Sequence, residues 1–220
     1  MKDGLSWEEK RKKLVEHLKR AGYLNKPEVI EAVSRVPRHK FVPLGERFMS
    51  YSDQPLPIGH SQTISAPHMV SLMAEKLDLE PGHRVLEVGG GSGYHAAVIG
   101  EIVGKKGHVY SVEIIPQLVK RAKKAIEAVG LSSVVTVILG DGSVGHPEEA
   151  PYDRIFVACA APDLPPPLAE QLDDGGKMLI PVESGLGYQD LMMYIKKKGK
   201  LLTKNEGGCV FVPLVGKFGY

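Results

Sequence analysis

Short apolar runs alternate with amphipathic stretches along the chain from residue 81 onward. The runs have the length and β-branched content of buried strands, whereas the stretches between them repeat apolar residues at helical spacing. The predicted strands are 84–88, 108–114, 134–139, 154–158 and 177–182, with later strands at 191–196 and 209–212, and the predicted helices are 94–103, 116–129 and 165–172. Such alternation predicts an α/β fold with a doubly wound, mostly parallel sheet, an α/β/α sandwich.

The N-terminal part of the chain has a different pattern. Residues 7–21 place apolar residues on one helical face and Lys and Arg on the other, and 27–36 forms a second helix. An amphipathic helix packed on the domain is the main interpretation, and a membrane- or nucleic-acid-binding surface is the alternative. The Pro- and Gly-rich stretch 38–65 is predicted to be a long functional loop. We therefore divide one structural domain into an N-terminal helical extension, 1–80, and a sheet core, 81–220.

Composition narrows the class of protein. A chain of 220 residues with 43% hydrophobic residues can bury a core, and a net charge of +2 is too small to indicate nucleic-acid binding. The two cysteines, Cys159 and Cys209, lie in apolar runs and are typical of buried thiols in a cytoplasmic protein. No apolar run approaches about 20 residues, and the charged N-terminus lacks a signal core. We expect a cytoplasmic monomer with no metal, no membrane contact and no nucleic-acid partner.

The stretch 85–94 joins the first core strand to its helix through a glycine-rich turn. Glycine lets a backbone approach a ligand closely, and the helix that follows directs free N–H groups at it. A dinucleotide site needs G-x-G-x-x-G, but the third glycine would fall at Tyr94. The sequence instead has an acid followed by glycines at alternate positions, from Glu87 to Gly93. This pattern resembles the first motif of S-adenosylmethionine (AdoMet)-dependent methyltransferases, and a dinucleotide site or a structural turn remain alternatives.

The charge of AdoMet explains why an acid belongs in this motif. AdoMet has no phosphate, but its ammonium and sulfonium favour a carboxylate such as Glu87. Glu113 ends the second core strand, where a carboxylate can accept hydrogen bonds from both ribose hydroxyls. Asp141 and Gly142 follow the third strand, where AdoMet folds bind adenine; an exposed acid and an ordinary Asp-Gly turn are the alternatives. The predicted cofactor-binding residues are Glu87, Gly89, Gly91, Ser92, Gly93, Glu113, Ile114, Asp141 and Gly142.

The chemistry of the methyl acceptor follows from what the fourth strand lacks. After this strand the chain reads Val157-Ala158-Cys159-Ala160-Ala161-Pro162, with no amide or acid to polarise an amine. Cys159 could be a nucleophile, but a buried thiol with nothing nearby to lower its pKa is the favoured interpretation. An acceptor that is already an anion needs no general base, and a carboxylate is ionised at neutral pH. Catalysis would then depend mainly on alignment.

Several segments together resemble one family, the protein-L-isoaspartate O-methyltransferases, over nearly the whole chain. They are Val36-Pro37-Arg38-His39-Lys40-Phe41-Val42-Pro43, Pro55-Leu56-Pro57-Ile58-Gly59, Gln62-Thr63-Ile64-Ser65-Ala66-Pro67-His68-Met69, Val85 to Tyr94, and Val210-Phe211-Val212-Pro213-Leu214. The resemblance implies methyl transfer from AdoMet to the α-carboxyl of L-isoaspartyl residues in damaged proteins. The ester then loses methanol to give a succinimide, which hydrolyses partly to aspartate. It also implies a sheet of about seven strands that departs from the usual methyltransferase order near its end.

The same resemblance gives roles to the Gln-Thr-Ile-Ser run. The family's active-site serine corresponds to Ser65, which could also cap the next helix as its N-terminal residue. Ile64 and His68 are predicted to line the cofactor site, although His68 could equally face solvent. One departure is Gly90, where the family often has Thr or Ser, so a side-chain contact could be lost. Backbone groups of residues 210–214 could pair with an extended substrate.

Two other functions stay open from the sequence alone. The first is an AdoMet methyltransferase that acts on RNA or a small molecule, which the basic face of the first helix supports and the apolar end of the fourth strand does not. The second is an AdoMet-binding protein without catalytic activity. Selective methylation of an isoaspartyl peptide over its aspartyl counterpart discriminates repair from both.

Overall fold

A computed structural model describes residues 4–185 and 187–220. Within these residues the helices are α1 Trp7–Arg20, α2 Pro27–Arg35, α3 Pro67–Lys76, α4 Tyr94–Val103, α5 Pro116–Ala128 and α6 Pro166–Gln171. The strands are β1 Leu56–Gly59, β2 Gln62–Ile64, β3 Arg84–Val88, β4 His108–Glu113, β5 Val135–Leu139, β6 Tyr152–Val157, β7 Leu172–Gly185, β8 Tyr188–Lys197 and β9 Lys200–Cys209. No helix in this part of the chain combines the length and the apolar character needed to span a bilayer.

The central sheet has seven strands in the order β5-β4-β3-β6-β7-β8-β9. Strands β3 to β7 pair in parallel, and β8 and β9 add in antiparallel orientation. Two clusters of buried apolar side chains cover the faces of the sheet, as expected for parallel strands with helices on both sides. The predicted doubly wound, mostly parallel fold is therefore confirmed, and the order changes direction at β3 and β6, where ligands bind in such sheets.

The N-terminal helices pack on the core. The Ser6 hydroxyl accepts a hydrogen bond from the Glu9 amide, and the Glu9 carboxylate accepts one from the Ser6 amide, so a capping box starts α1. The apolar face of α1, with Leu18 fully buried, belongs to the same buried cluster as Tyr94 and Ile99 of α4. The amphipathic interpretation of this helix therefore agrees with its packing, and the division of the chain at residue 80 stays a prediction.

Two predicted segments differ from the structure. The stretch 38–65 is not only loop, since it contains the β1–β2 hairpin and two 3-10 turns, Arg38–Lys40 and Leu44–Met49. The predicted strand 209–212 is wrong because the last strand, β9, ends at Cys209 and the chain then leaves the sheet. The hydrophobic pattern of the sequence did not predict β9, because most of its side chains are exposed and its position depends on backbone pairing with β8.

Candidate active site

The glycine turn after β3 has the backbone conformation that its sequence predicts. Gly89, Gly91 and Gly93 have φ angles of 84°, 53° and 82°, which side chains rarely adopt. A Cβ at Gly89 would lie 3.1 Å from Cys159 Sγ, and one at Gly93 would lie 3.2 Å from the Ala122 Cβ. The glycines therefore allow both the turn and the close packing of α5 and of the chain after β6 against it.

A cavity of about 320 Å³ lies at the carboxyl ends of β3 and β4, beside this turn. Its lining includes the predicted residues Gly89, Gly91, Glu113, Ile114 and Gly142, together with Thr63 and residues 212–215. The structure thus brings five predicted cofactor-binding residues to one cavity, at the edge of the sheet where such ligands bind.

Glu113 is held in place by two backbone amides. Its Oε2 accepts a hydrogen bond from the Gly91 amide and its Oε1 accepts one from the Ile115 amide, both at 2.8 Å. The side chain is buried and lines the cavity. Each oxygen keeps a further lone pair, so the carboxylate can still accept hydrogen bonds from a ligand.

Glu87 lies beneath the turn and is almost completely buried, with 1% of its surface exposed. The Ser111 hydroxyl donates a hydrogen bond to Oε2, whereas Oε1 has no partner of good geometry among the described residues. Burial raises the pKa of Glu87 to about 8, and the nearby Glu113 charge acts in the same direction, against the hydrogen bonds from Ser111 and the Ala96 amide. A bound cation is the partner that would restore ionisation here.

The space for a side chain at position 90 is taken by Ser111. A Cβ at Gly90 would overlap the Ser111 hydroxyl oxygen, the same atom that hydrogen-bonds to Glu87. The family often has a Thr or Ser hydroxyl at position 90. In this chain the Ser111 hydroxyl of β4 occupies that space in its place.

Asp141 and Gly142 have separate environments. Gly142 lines the cavity, whereas Asp141 lies at its edge and accepts hydrogen bonds from the Ser143 amide at 2.8 Å and the Lys217 amide at 2.7 Å. Although partial burial acts to raise the pKa of Asp141, these hydrogen bonds and the Lys217 charge lower it overall. The predicted contact of Asp141 with adenine stays a prediction.

Ser65 lines both a groove and a small cavity. It lines a groove of about 710 Å³, with residues 187–189 and 208–212 on the opposite wall, and also a small cavity of about 30 Å³ beside Glu87 and the glycine turn. The interpretation of Ser65 as the helix cap is wrong, because α3 begins after Ala66 and Ser65 makes no capping bond. Asp53 replaces it, since its Oδ1 accepts hydrogen bonds from the His68 amide and from His68 Nδ1, both at 2.9 Å.

The other predicted residues have different positions around the groove and the small cavity. Ile64 and Ser92 line the small cavity, and Gly93 packs on α5. His68 lines the groove and not the cavity of about 320 Å³ beside the glycine turn. Their roles at the cofactor site stay predictions. The Cys159 thiol is buried and its pKa is raised by burial, so it is a poor nucleophile, as its sequence context indicates.

Three residues at the site were not predicted from sequence. Thr63 lines both cavities and the groove, and Asp53 positions His68. Arg38 is fully buried, donates from Nη2 to the Ser65 carbonyl oxygen at 2.8 Å and lies 4.9 Å from the centre of the Tyr94 ring. Only Thr63 and Arg38 had a signal, because both belong to the segments that resemble the family.

The residues at the sheet edge fit AdoMet. The glycine turn leaves room for a ligand, and Glu113 remains able to accept hydrogen bonds. The buried Glu87 Oε1, which has no well-aligned hydrogen-bond partner among the described residues, suits a cationic group. Among the described residues no group of His, Cys, Asp and Glu side chains could hold a metal ion. The fold and this cavity define an AdoMet-dependent methyltransferase.

Comparison with known proteins identifies the family. The model of the protein-L-isoaspartate(D-aspartate) O-methyltransferase family matches residues 9–219, and the chain belongs to this family. The chain is 52% identical to the protein-L-isoaspartate O-methyltransferases of Hyperthermus butylicus, covering 96% of this chain and 91% of the relative, and of Methanothrix thermoacetophila, covering 96% and 97%.

A solved structure gives the same result. An enzyme from Plasmodium falciparum assigned as a protein-L-isoaspartate O-methyltransferase, solved with S-adenosyl-L-homocysteine, superposes with a TM-score of 0.85 at 30% identity, covering 93% of this chain and 98% of the other. S-adenosyl-L-homocysteine is what AdoMet becomes when it has given up its methyl group. The family, the enzyme class and the cofactor predicted from the sequence are therefore confirmed.

Proposed function

We propose that the cavity beside the glycine turn binds AdoMet, that the groove binds an isoaspartyl-containing segment, and that the two meet at Ser65. The observation that carries this proposal is that Ser65 lines both the groove and the small cavity at the turn. The reaction is the one that defines the family, methyl transfer to the α-carboxyl of an L-isoaspartyl residue. The methyl ester then closes to a succinimide, which starts the repair.

AdoMet supplies an activated methyl group, and the chain supplies the groups that hold it. Glu113 accepts hydrogen bonds from the ribose, and the Glu87 carboxylate stabilises the positive charge of the methionine part, with Ile64 and Ser92 beside it. Ile114 and Gly142 line the end of the cavity that takes adenine, with Asp141 at its edge. Residues 212–215 add an apolar part to the lining of this cavity.

The acceptor needs alignment and not deprotonation. A carboxylate with an ordinary pKa near 4 is already ionised at neutral pH, so the site requires no general base. Among the described residues the Ser65 hydroxyl has no hydrogen-bond partner, and only the carbonyl oxygen of Ser65 is engaged, so the hydroxyl is available to donate to the acceptor carboxylate. Arg38 fixes the Ser65 backbone from the opposite side through its bond to the carbonyl oxygen, which holds the hydroxyl near the methyl group.

The groove suits an extended chain. Residues 208–212 form one wall, and Val210 is 92% exposed after the end of β9, so its backbone groups are open to pairing with an added strand. The neighbouring backbone is already engaged, since Phe211 bonds to the Gln189 side chain and the Val212 carbonyl oxygen accepts from the Ala160 amide. His68, held by Asp53, forms part of the other wall, and we assign it to substrate positioning in preference to cofactor contact. A monomeric, cytoplasmic enzyme with no nucleic-acid partner remains part of the proposal.

Substitution of Ser65 tests this assignment. For Ser65→Ala we expect kcat with an isoaspartyl peptide to fall about 10- to 100-fold, the effect of losing one hydrogen bond to a charged group, with little change in the Kd of AdoMet. Ser61→Ala, in the exposed turn between β1 and β2, is the matched control and should leave both quantities unchanged. An unchanged kcat in Ser65→Ala would remove Ser65 from the reaction.

A further inference from the structure

A second cleft lies behind the glycine turn, away from the groove. It has a volume of about 570 Å³ and is bounded by the start of α1, the 3-10 turns and one face of α5. Gly91 and Ser92 form its inner end, so it reaches the opposite side of the turn that lines the cofactor cavity. Its lining contains no carboxyl side chain.

The charged side chains that line this cleft are all positive. Four cationic side chains line it: Lys40, Arg47, Arg121 and Lys124. None of them forms an ion pair with a carboxylate of the described residues, although seven pairs of other Lys or Arg side chains with carboxylates exist there. Like charges gathered without counter-ions repel one another, and a bound anion is the partner that relieves this repulsion.

One of the four cations, Arg47, has a donor without a partner, and two others, Lys40 and Arg121, are anchored to the backbone. Arg47 has a buried Nε with no hydrogen-bond partner among the described residues. Lys40 donates to the Ala128 carbonyl oxygen at 3.1 Å and Arg121 donates from Nη1 to the Ile58 carbonyl oxygen at 2.6 Å. These bonds to carbonyl groups hold the charges in place without neutralising them.

His39 lines the cleft, and the positive charges there affect its pKa. Burial, and after it the charges of Arg47, Arg11 and Lys40, lower the pKa of His39 to about 4. The ring of Trp7 stacks on His39 at 4.8 Å between centroids, so an aromatic surface forms one side of the cleft.

We propose that this cleft is a binding site for a small ligand that bears a di- or triphosphate group, separate from the methyl-transfer site. Guanidinium groups bind phosphate oxygens in a forked geometry and ammonium groups add point charges, so two Arg and two Lys suit a multivalent phosphate better than a single carboxylate. The cleft shares Gly91 and Ser92 with the cofactor side, so a bound phosphate group would contact the back of the glycine turn.

The fluorescence of Trp7 provides the test, because it is the only tryptophan of the chain and it lines the cleft. Titration of the full chain with inorganic pyrophosphate at constant ionic strength should change this fluorescence saturably. Lys124→Gln and Arg47→Gln should each weaken the binding about tenfold or more. Lys123→Gln is the matched control, since it removes the same charge from the neighbouring, exposed position of α5, outside the cleft.

Three results would overturn the proposal. The first is no saturable response to pyrophosphate in the unsubstituted chain, confirmed by calorimetry. The second is an equal loss of affinity in Lys123→Gln and Lys124→Gln, which would mean general attraction to a basic surface. The third is tighter binding of a single-stranded RNA than of pyrophosphate, with the affinity for RNA lowered equally by both lysine substitutions. That result would mean that the basic surface around the cleft binds nucleic acid. The measurement needs no methyl acceptor, so its outcome is independent of the proposed function.

Discussion

The guanidinium of Arg38 donates a hydrogen bond to the carbonyl oxygen of Ser65 at 2.8 Å, from a position with no exposed surface. The same group lies over the ring of Tyr94, the first residue of α4 after the glycine turn. A single buried cation therefore contacts both the segment proposed to hold the acceptor and the helix that follows the glycine turn. Its cost in desolvation is high, which lowers its pKa to about 10.

We expect Arg38→Lys to lower kcat about tenfold while changing the Kd of AdoMet little. Lysine keeps the charge but loses the planar group that stacks on Tyr94 and reaches the Ser65 carbonyl oxygen. Steady-state kinetics with an isoaspartyl peptide and calorimetry with AdoMet separate the two effects. Arg35→Lys, an exposed arginine of α2, is the control. Wild-type kcat in Arg38→Lys would show that the contact does not position Ser65.

The overlap between position 90 and Ser111 predicts a compensating pair of substitutions. Gly90→Ser alone should destabilise the protein by about 1–3 kcal/mol, because the new Cβ and the Ser111 hydroxyl cannot occupy the same space. Ser111→Ala should relieve this overlap, so the double variant should be more stable than Gly90→Ser. A double-mutant cycle by chemical denaturation measures the coupling. Strict additivity of the two free energies would contradict the structure at this turn.

The raised pKa of Glu87 predicts how stability without cofactor depends on pH. The folded protein holds this proton up to about pH 8, whereas an exposed glutamate releases it near 4.5, so the folded state binds more protons between these values. The free energy of unfolding should therefore fall as pH rises from about 5 to 8, by at most about 1.4 kcal/mol per pH unit from this group. Glu87→Gln cannot titrate and should lose this contribution.

Chemical denaturation of both proteins at several pH values gives the comparison. The difference in unfolding free energy, wild type minus Glu87→Gln, should fall steadily over this range and level off above pH 8. A difference that stays constant with pH would mean that Glu87 is ionised beneath the turn, even without a bound cation.

Local signals in the sequence are sufficient to predict part of the fold. The bounds of β3 and α4 match the prediction because a buried apolar run, three glycines with positive φ and Gly104 after the helix all act within neighbouring residues. The position of the cavity that we propose to bind AdoMet was predictable for the same reason, since parallel strands bring their carboxyl ends to one edge of the sheet.

Long-range contacts explain what the sequence did not reveal. The cap of α3 comes from Asp53, 15 residues before the amide it binds, and not from the adjacent Ser65. The amide that binds Asp141 belongs to Lys217, 76 residues further along the chain. Arg38 is a charged residue in the core, where residue type alone predicts the surface. Each of these depends on the packed fold and has no local pattern.

The most direct test uses two peptides that differ only in the linkage at one aspartyl residue. Incubation of the protein with AdoMet labelled in its methyl group should transfer label to the isoaspartyl peptide, as a base-labile methyl ester. The peptide with the normal linkage should stay unlabelled, because its side-chain carboxylate cannot reach the position of the isoaspartyl α-carboxyl. Equal labelling of both peptides, or label in neither, would contradict the account.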